Sequence, residues 1–441
     1  MYDTISAISS PYGTGAISII RIDGPKSYEI VKKLTDLDEI KHRRVYSTYI
    51  YLENEVIDQV NVVFFKSPKS YTGNDLVEIY AHGGIIVTRK ILETILSSGA
   101  RLAERGEFTK RAFLNGKISL VQAEAIYQII EAKSEISLKM SLQNLKGGLN
   151  EEIEYYRREI LNILSEIEVT VDYPDDIEID TKNIVKEIFR IKNEIDNKVT
   201  NSKKALMLND GIVMTIVGKP NSGKSTLLNR LLLEDRAIVT DIPGTTRDVI
   251  KGEIDINGVR FIIVDTAGIR ETEDIVEKIG IDRSLREMKK ADIVLFVLDA
   301  STGFTKEDEF ILKEIENNNF IPIWNKCDSS LKINKKFEDE VKISALTGEG
   351  LRNLENKIMS KVKDIVESGT SSHITTQRQV EILERVNLYL ERAVKSLEEG
   401  FELDIISFDL RKALEELDTL LGKRFTDDLL DNIFSNFCVG K

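Results

Sequence analysis

The spacing of apolar residues changes along this chain, and the changes divide it. Through about residue 115, short runs rich in Val, Ile, Tyr and Phe recur at 16–22, 45–52, 56–65 and 76–80, predicting strands of a mixed α+β domain. Glu53-Asn54-Glu55 reads as a hairpin turn, and residues 84–97 carry apolar side chains at helical spacing. From 121 to 169 the pattern is long and helical: Leu138, Leu142, Leu145, Leu149 and Ile153, then Ile160, Ile163 and Ile167, recur in threes and fours. Gly147-Gly148 is expected to kink or break it. Tyr173-Pro174-Asp175-Asp176 reads as a turn, and 184–208 as another helix.

From Gly211 to about Val366 the pattern is that of an α/β domain. Continuous apolar runs at 212–217, 261–264, 320–324 and 341–343 predict buried strands, and 226–233 a helix. The Ser/Thr-rich stretch 368–372 reads as a linker, and helical periodicity resumes over 380–397 and 405–421. Two helical blocks flank the α/β domain, so its insertion into one helical domain is the economical reading. The predicted division is 1–116, 117–209, 210–367 and 368–441, a multidomain α/β plus α fold with a discontinuous helical domain. An inserted domain can transmit rotation to its host through two attachment points.

A length of 441 residues suits two to four domains, and 41% apolar residues suffice for sizeable cores. No run approaches the ~18 apolar residues of a membrane span, and MYDTISAISS lacks a secretion pattern. Cys327 and Cys438, the only cysteines, suggest a reducing compartment, and the cytoplasm is expected. A net charge of -13 argues against bulk nucleic-acid affinity but leaves room for a local basic patch. Lys41-His42-Arg43-Arg44 and the group Arg101, Arg105, Lys110, Arg111 are candidates, although solvated surface is the commoner meaning of such groups.

Gly218 to Ser225 has the form G-x-x-x-x-G-K-S between a strand-like and a helix-like run, the setting of a phosphate-binding loop. Its glycines let backbone N–H groups curl around phosphate oxygens. Lys224 would reach the β- and γ-phosphates, Ser225 would hold Mg²⁺, and the helix dipole adds to both. Asn221, Ser222, Gly223 and Thr226 complete this candidate segment. Asp265-Thr266-Ala267-Gly268 follows a strand; its Asp can bind the Mg²⁺ shell, and the Gly268 N–H can meet a γ-phosphate. Asn325-Lys326-Cys327-Asp328 follows another. A carboxylate at Asp328 accepts from guanine N1–H and the 2-amino group, a pair adenine lacks, so adenine would leave it unpaired. Ser344-Ala345-Leu346 can offer a backbone N–H to guanine O6. Four chemistries in this order name GTP.

Ras-like proteins carry a water-orienting Gln directly after this glycine; here it is Ile269. Nearby acids are Glu271, Glu273, Asp274 and Glu277, and spacing alone does not choose among them. Arg247 and Arg270 are arginine-finger candidates without geometric support. Asn221 beside the phosphates either steadies the loop or coordinates a monovalent cation, and K⁺ there would supply the charge an arginine finger otherwise brings. In the stretch Thr240-Asp241-Ile242-Pro243-Gly244-Thr245-Thr246, the two final hydroxyls are Mg²⁺ candidates, with Thr246 preferred.

Several segments together resemble the MnmE (TrmE) family of tRNA-modifying GTPases over essentially the whole chain: YTGNDLVEIYAHGG (71–84), RGEFTKRAFLNGK (105–117), VQAEA (121–125), PNSGKST, IVTDIPGTTRD, DTAGIR, VEKIGI (276–281) and the terminal CVGK. The resemblance implies a tetrahydrofolate-binding, dimerising N-terminal domain, a helical domain of two chain segments and an inserted Ras-like G domain. It implies a homodimer working with the flavoprotein MnmG, as a heterotetramer, on the wobble uridine of certain tRNAs. A carboxymethylaminomethyl or aminomethyl group would go to C5, with carbon from folate, FAD on the partner, and nitrogen from glycine or ammonium.

By motif, Asn221, Thr240, Ile242 and Thr245 match the family's K⁺ ligands, the middle two through backbone oxygens. Ser225 and Thr246 match its Mg²⁺ ligands. Glu277 matches the glutamate that orients water when two G domains meet. Arg21, Glu78 and Lys117 match folate-contacting positions, and Lys441 sits at the tail that approaches the folate. Glu78 has a physical rationale, since a pterin shows the same amide-plus-amino edge as guanine; otherwise it reads as an exposed strand residue. Cys438 resembles the family's tail cysteine, with no role assigned. Val439 and Ser222 depart from the commoner Ile and Ala without changing charge or ligand chemistry. The alternative is a ribosome-assembly GTPase whose flanking regions only dock RNA, since related assembly GTPases share the GTTRD and DTAG segments.

Overall fold

The computed structural model describes residues 3–173, 180–233, 250–265, 291–370 and 374–441. They form two compact units, one of Met1–Tyr127, Asn144–Arg158 and Leu414–Lys441, the other of Gln128–Gln143 and Glu159–Ala413.

In the first unit, β1 (Ile5–Ile8), β2 (Ile17–Asp23), β3 (Val45–Leu52), β4 (Glu55–Phe65), β5 (Leu76–His82) and β6 (Arg101–Leu102) form one sheet in the order β3-β4-β5-β2-β1-β6. Only β1 and β6 pair in parallel. The turn joining β3 to β4 has Glu53 and Asn54 at φ 50° and 73°, as a two-residue hairpin turn requires. Period-two alternation separates the faces. Ile20, Ile22, Val60, Val62, Val77 and Ile79 pack beneath α1 (Ser27–Leu34) and α2 (Ile85–Ser97). The opposite face carries Arg21, Glu78 and Tyr80. Part of it is covered by Phe108 of α3 (Glu107–Leu114), in a cluster with Ile5, Ala7 and Leu76.

The helical stretch after residue 120 has two breaks where the spacing predicted one. It forms α4 (Leu120–Glu131), α5 (Glu135–Leu145) and α6 (Gly148–Asp172). Gly147, at φ 103°, makes the expected break. The other is a helix start: the Ser134 hydroxyl accepts from the Ser137 N–H at 3.1 Å, capping α5. At α4, Ser119 and Gln122 exchange bonds of 3.1 and 2.9 Å in a capping box. Of the expected 173–176 turn, residues 174–176 lie outside the described residues. Next, α7 (Thr181–Asp210) is capped by Asp180 and leads into the second sheet at Gly211.

That sheet comprises β7 (Ile212–Val217), β8 (Ile250–Ile256), β9 (Val259–Asp265), β10 (Ile293–Asp299), β11 (Phe320–Asn325) and β12 (Val341–Lys342), in the order β12-β11-β10-β7-β9-β8. All pairs are parallel except β8 with β9. Every residue of β10 is buried, because both faces are covered. Ile293, Leu295 and Val297 join the core that includes Leu227 and Leu231 of α8 (Lys224–Leu233) and Leu351, Leu354 and Ile358. Val294, Phe296 and Leu298 join Trp324 and Ile315 of α9 (Lys306–Ile315).

Beyond α10 (Leu351–Lys361), α11 (Lys363–Thr370) extends helix into the stretch that reads as a linker. Packing overrides composition there: Gly369 lies so close to Leu208 of α7 that an added Cβ would meet its Cδ1 at 2.6 Å. After it come α12 (Gln377–Glu398), α13 (Leu403–Leu421) and α14 (Asp427–Phe434). In the first unit, Phe434 and Phe437 pack with Phe113 and Leu120, which holds the C-terminal tail against that unit.

Candidate functional site

In the second unit, β7 ends beside β10 and delivers the segment from Gly218 to the start of α8 at the C-terminal edge of the parallel strands, where such sheets bind ligands. Two glycines let the loop sit this close. A Cβ on Gly218 would lie 2.3 Å from Val297 O, and one on Gly223 2.1 Å from Asn325 Nδ2. Asn221 takes φ 60°, a left-handed conformation that Asn tolerates better than most residues. Lys224 turns over the loop, its Nζ donating to Gly218 O and Lys219 O at 2.8 Å each. Ser222 is buried with its hydroxyl unpaired among the described residues. Ser225 and Thr226 are exposed in the first turn of α8. Close-approach glycines, an inward lysine, a buried unpaired hydroxyl and an exposed serine at a helix N-terminus fit a nucleotide polyphosphate with Mg²⁺.

The base-recognition segment is tied to this loop. Asn325 Nδ2 donates to Ser222 O and its Oδ1 accepts from Ala345 N–H, both at 2.9 Å. Lys326 Nζ donates to Asn221 O at 2.7 Å and to Asp299 Oδ2 at 2.6 Å. Burial pushes the Asp299 carboxyl up, but Lys326 and Ser301 outweigh it and hold it below the ordinary value. Asp328 is exposed, free to meet a base edge. In the Ser344-Ala345-Leu346 segment, Ser344 N–H goes to Glu349 O and Ala345 N–H to Asn325. The Leu346 N–H has no partner among the described residues, and its residue is 72% exposed. Burial raises the Cys327 thiol, which suits packing better than chemistry.

Asp265 ends β9. Thr240, Asp241, Ile242, Pro243, Gly244, Thr245, Thr246, Thr266, Ala267, Gly268 and Glu277 lie outside the described residues, as do Arg247, Ile269, Arg270, Glu271, Glu273 and Asp274.

Lys219 is a functional neighbour that sequence reasoning missed. Although part of the loop, it is buried, with Nζ 3.0 Å from Asp308 Oδ2 and from Thr302 Oγ1. Its partner lies 89 positions away on α9, so no local signal marks the pair.

In the first unit, Arg21 and Glu78 are directly opposite on β2 and β5, joined at 2.9 Å with side chains 18% and 12% exposed. Glu78 is thus a paired carboxylate rather than an exposed strand residue. Tyr80 donates to its second oxygen at 2.6 Å; burial and then Glu78 push that phenol up to about 12. Arg21 lies 5.5 Å from the centre of the Tyr71 ring. The tail closes on the same region. Val439 bridges to Arg105, Gly440 O accepts from Ser9 Oγ at 2.9 Å, and Lys441 O accepts from Phe108 N–H at 3.2 Å. Burial and then Arg21 hold the Lys441 ammonium below its usual value, against the opposing pull of Glu78 and Cys438. Arg21, Glu78 and Lys441 are therefore brought together. Lys117 is not in contact with them; its Nζ donates to Pro68 O at 3.1 Å. Tyr71 and Tyr80 were missed, although Tyr80 shares Glu78's face by period two.

The basic group Arg101, Arg105, Lys110, Arg111 is not an open patch. Arg111 is 3% exposed, paired with Asp23, Asp3 and Glu107. Arg101 pairs with Asp3 and Glu107, and Lys110 with Asp431. These charges tie the first unit together.

A glycine-built phosphate loop after a parallel strand, clamped to an Asn-Lys-Cys-Asp segment, defines a P-loop GTPase, here joined to an α+β domain and a helical domain. A family model described as "GTP-binding protein TrmE N-terminus" matches residues 4–117, and one described as "MnmE helical domain" matches residues 120–438. The chain belongs to the MnmE (TrmE) family. Relatives named tRNA modification GTPase MnmE include those of Thermosipho melanesiensis, 73% identical over 441 residues and 100% of both chains, and Fervidobacterium nodosum, 57% identical over 100% of this chain and 98% of that one. The Thermotoga maritima relative is 54% identical over 100% of both. Among solved structures, Era of Aquifex aeolicus bound to GDP.AlF4- is 33% identical over 34% of this chain and 56% of that one, with a TM-score of 0.27. No described helix is long and apolar enough to cross a membrane.

Proposed function

We propose that this chain is a K⁺-dependent GTPase that works with the flavoprotein MnmG to place a carboxymethylaminomethyl or aminomethyl group on C5 of the wobble uridine (U34) of certain tRNAs. The carbon comes from a tetrahydrofolate one-carbon unit, and FAD is carried by the partner. The chain acts in the cytoplasm as a homodimer, in a heterotetramer with MnmG. Residues 1–116 bind folate and dimerise, 210–367 form the inserted G domain, and 117–209 with 368–441 form its helical host.

In this reading the segment from Asn221 to Thr226 and Lys224 in particular hold the phosphates, Asp328 reads guanine, and Ser225 and Thr246 ligate Mg²⁺. Asn221, Thr240, Ile242 and Thr245 ligate K⁺, which when bound supplies positive charge where the transition state builds negative charge. Glu277 orients the attacking water when two G domains meet. Arg21, Glu78, Lys117 and Lys441 hold the folate.

The observation that carries the reading is the half-buried Arg21–Glu78–Tyr80 constellation with Lys441 beside it. A plain GTP switch has no use for it. Arg21 and Tyr80 keep the Glu78 carboxylate oriented, and each oxygen retains a lone pair for the amide-plus-amino edge of a pterin. The test is equilibrium binding of 5-formyltetrahydrofolate to the full chain and to Glu78→Gln. Binding weakened at least tenfold by the substitution is expected; no binding by the wild type would favour the assembly-GTPase alternative.

A further inference from the structure

The basic segment at Lys41–Arg44 has a different fate from the Arg101–Arg111 group. Lys41, Arg43, Arg44, Lys66, Lys69 and Lys117 are all exposed. Backbone bonds gather most of them. Arg43 N–H donates to Phe64 O at 2.8 Å, Lys66 N–H to His42 Nδ1 at 3.0 Å, and Arg43 Nη2 to Lys69 O at 3.4 Å. Lys69 N–H closes a turn on Lys66 O at 2.9 Å, and Lys117 reaches Pro68 O at 3.1 Å. Among the described residues, only Lys41 has a carboxylate partner, Glu39 at 3.6 Å. Arg43, Arg44, Lys66 and Lys69 thus form a strip of four unneutralised cations in a chain of net charge -13, with Lys117 of the folate site at its end.

The strip is also held in place. Its loop is pinned by Ser67 N–H to Asp75 at 2.8 Å, Asn115 Nδ2 to Thr72 O at 2.7 Å and Asn74 Nδ2 to Asp23 at 3.0 Å. The same loop presents Tyr71 to Arg21, so the strip adjoins the Arg21–Glu78 pair. Unpaired, pre-ordered cations in an acidic protein fit a polyanion with regularly spaced charges. We propose that this strip, Arg43-Arg44 with Lys66 and Lys69, docks the phosphodiester backbone of the RNA substrate and leads it toward the site containing Glu78. This rests on the tRNA-modification reading above.

The test uses the full chain, an unmodified tRNA transcript as probe, and the triple variant Arg44→Glu/Lys66→Glu/Lys69→Glu, none of whose side chains belongs to the nucleotide or folate site. Binding of 5-formyltetrahydrofolate, expected to be unchanged, checks the folding of the unit that carries the strip; the neutral triple to Gln serves if charge reversal unfolds it. Each lost phosphate contact flattens the dependence of log affinity on log salt by about 0.7–0.9. The triple should therefore flatten it by about 2 and weaken tRNA binding roughly 30-fold near 0.15 M salt. Unchanged affinity and slope, with U34 modification lost in cells lacking the protein, would overturn the strip and leave the reading standing. Normal U34 in those cells would overturn the reading and, with it, the strip. Retention on phosphatidylglycerol vesicles without tRNA binding would assign the strip to a lipid surface and overturn the RNA proposal.

Discussion

Removing Asp308 should damage the nucleotide domain out of proportion to the size of the change. Its side chain is fully buried and that of Lys219 is 8% exposed, 3.0 Å apart. Asp308 Oδ2 also accepts from Thr305 N–H and Oγ1 at 2.9 and 2.7 Å, closing the capping box of α9. Asp308→Ala strands the Lys219 ammonium among two hydroxyls and one carbonyl. Leaving one member of a buried pair uncompensated costs about 3–5 kcal/mol, and a lost cap adds about 1 kcal/mol. Taking about 4 kcal/mol, and about 2–4 °C per kcal/mol for a domain of this size, the unfolding transition should fall by about 8–16 °C. Trp324 is the only tryptophan and is fully buried in this domain, so its fluorescence follows this transition alone. The double variant Lys219→Met/Asp308→Leu should recover most of the loss, because apolar replacement of a buried pair is near neutral. A loss under about 1 kcal/mol for Asp308→Ala, or a double no better than the single, would refute the argument.

Gly223→Ala should abolish guanine-nucleotide binding by equilibrium titration, because the φ of 94° and a contact of 2.1 Å with Asn325 both oppose a Cβ. If Asn221 ligates K⁺ as proposed, GTP turnover should be much faster in K⁺ than in Na⁺, and Asn221→Ala should remove the difference; equal turnover in the two salts would sink the cation assignment. The lowered carboxyl of Asp299 contributes stability that is complete above its unfolded value, near 3.8, and is lost as pH falls through its folded value. Lys326→Met removes the largest favourable contact, so acid unfolding followed by Trp324 fluorescence should begin at higher pH than in the wild type; an unmoved midpoint would count against the linkage.

What was legible in the sequence is what chemistry makes local. The phosphate loop and the Asn325–Asp328 segment are read directly because glycine geometry and base recognition demand particular residues at fixed spacing. The β3–β4 hairpin was legible for the same reason, since its turn sits between two alternating runs. The break before α5 was not, because Ser134 interrupts an apolar period without glycine or proline. Strand β1 is only 4 residues long and helices α1 and α3 only 8 each, too short for a period to show. Long-range pairing was invisible: nothing near Arg105 announces Val439, nor anything near Lys219 its Asp308. The clearest misreading, Arg111 as surface charge, follows largely from the same blindness, because Asp3 and Asp23 lie far away in the chain; only Glu107, four residues earlier on α3, was a local cue.

The central claim is that this GTPase serves wobble-uridine modification. Nucleoside analysis of U34 in tRNAs from cells lacking the protein tests it most directly. The account predicts that U34 loses its C5 substituent and regains it when the wild-type chain, but not Glu78→Gln, is restored. A normal U34 profile in the deleted cells would contradict it.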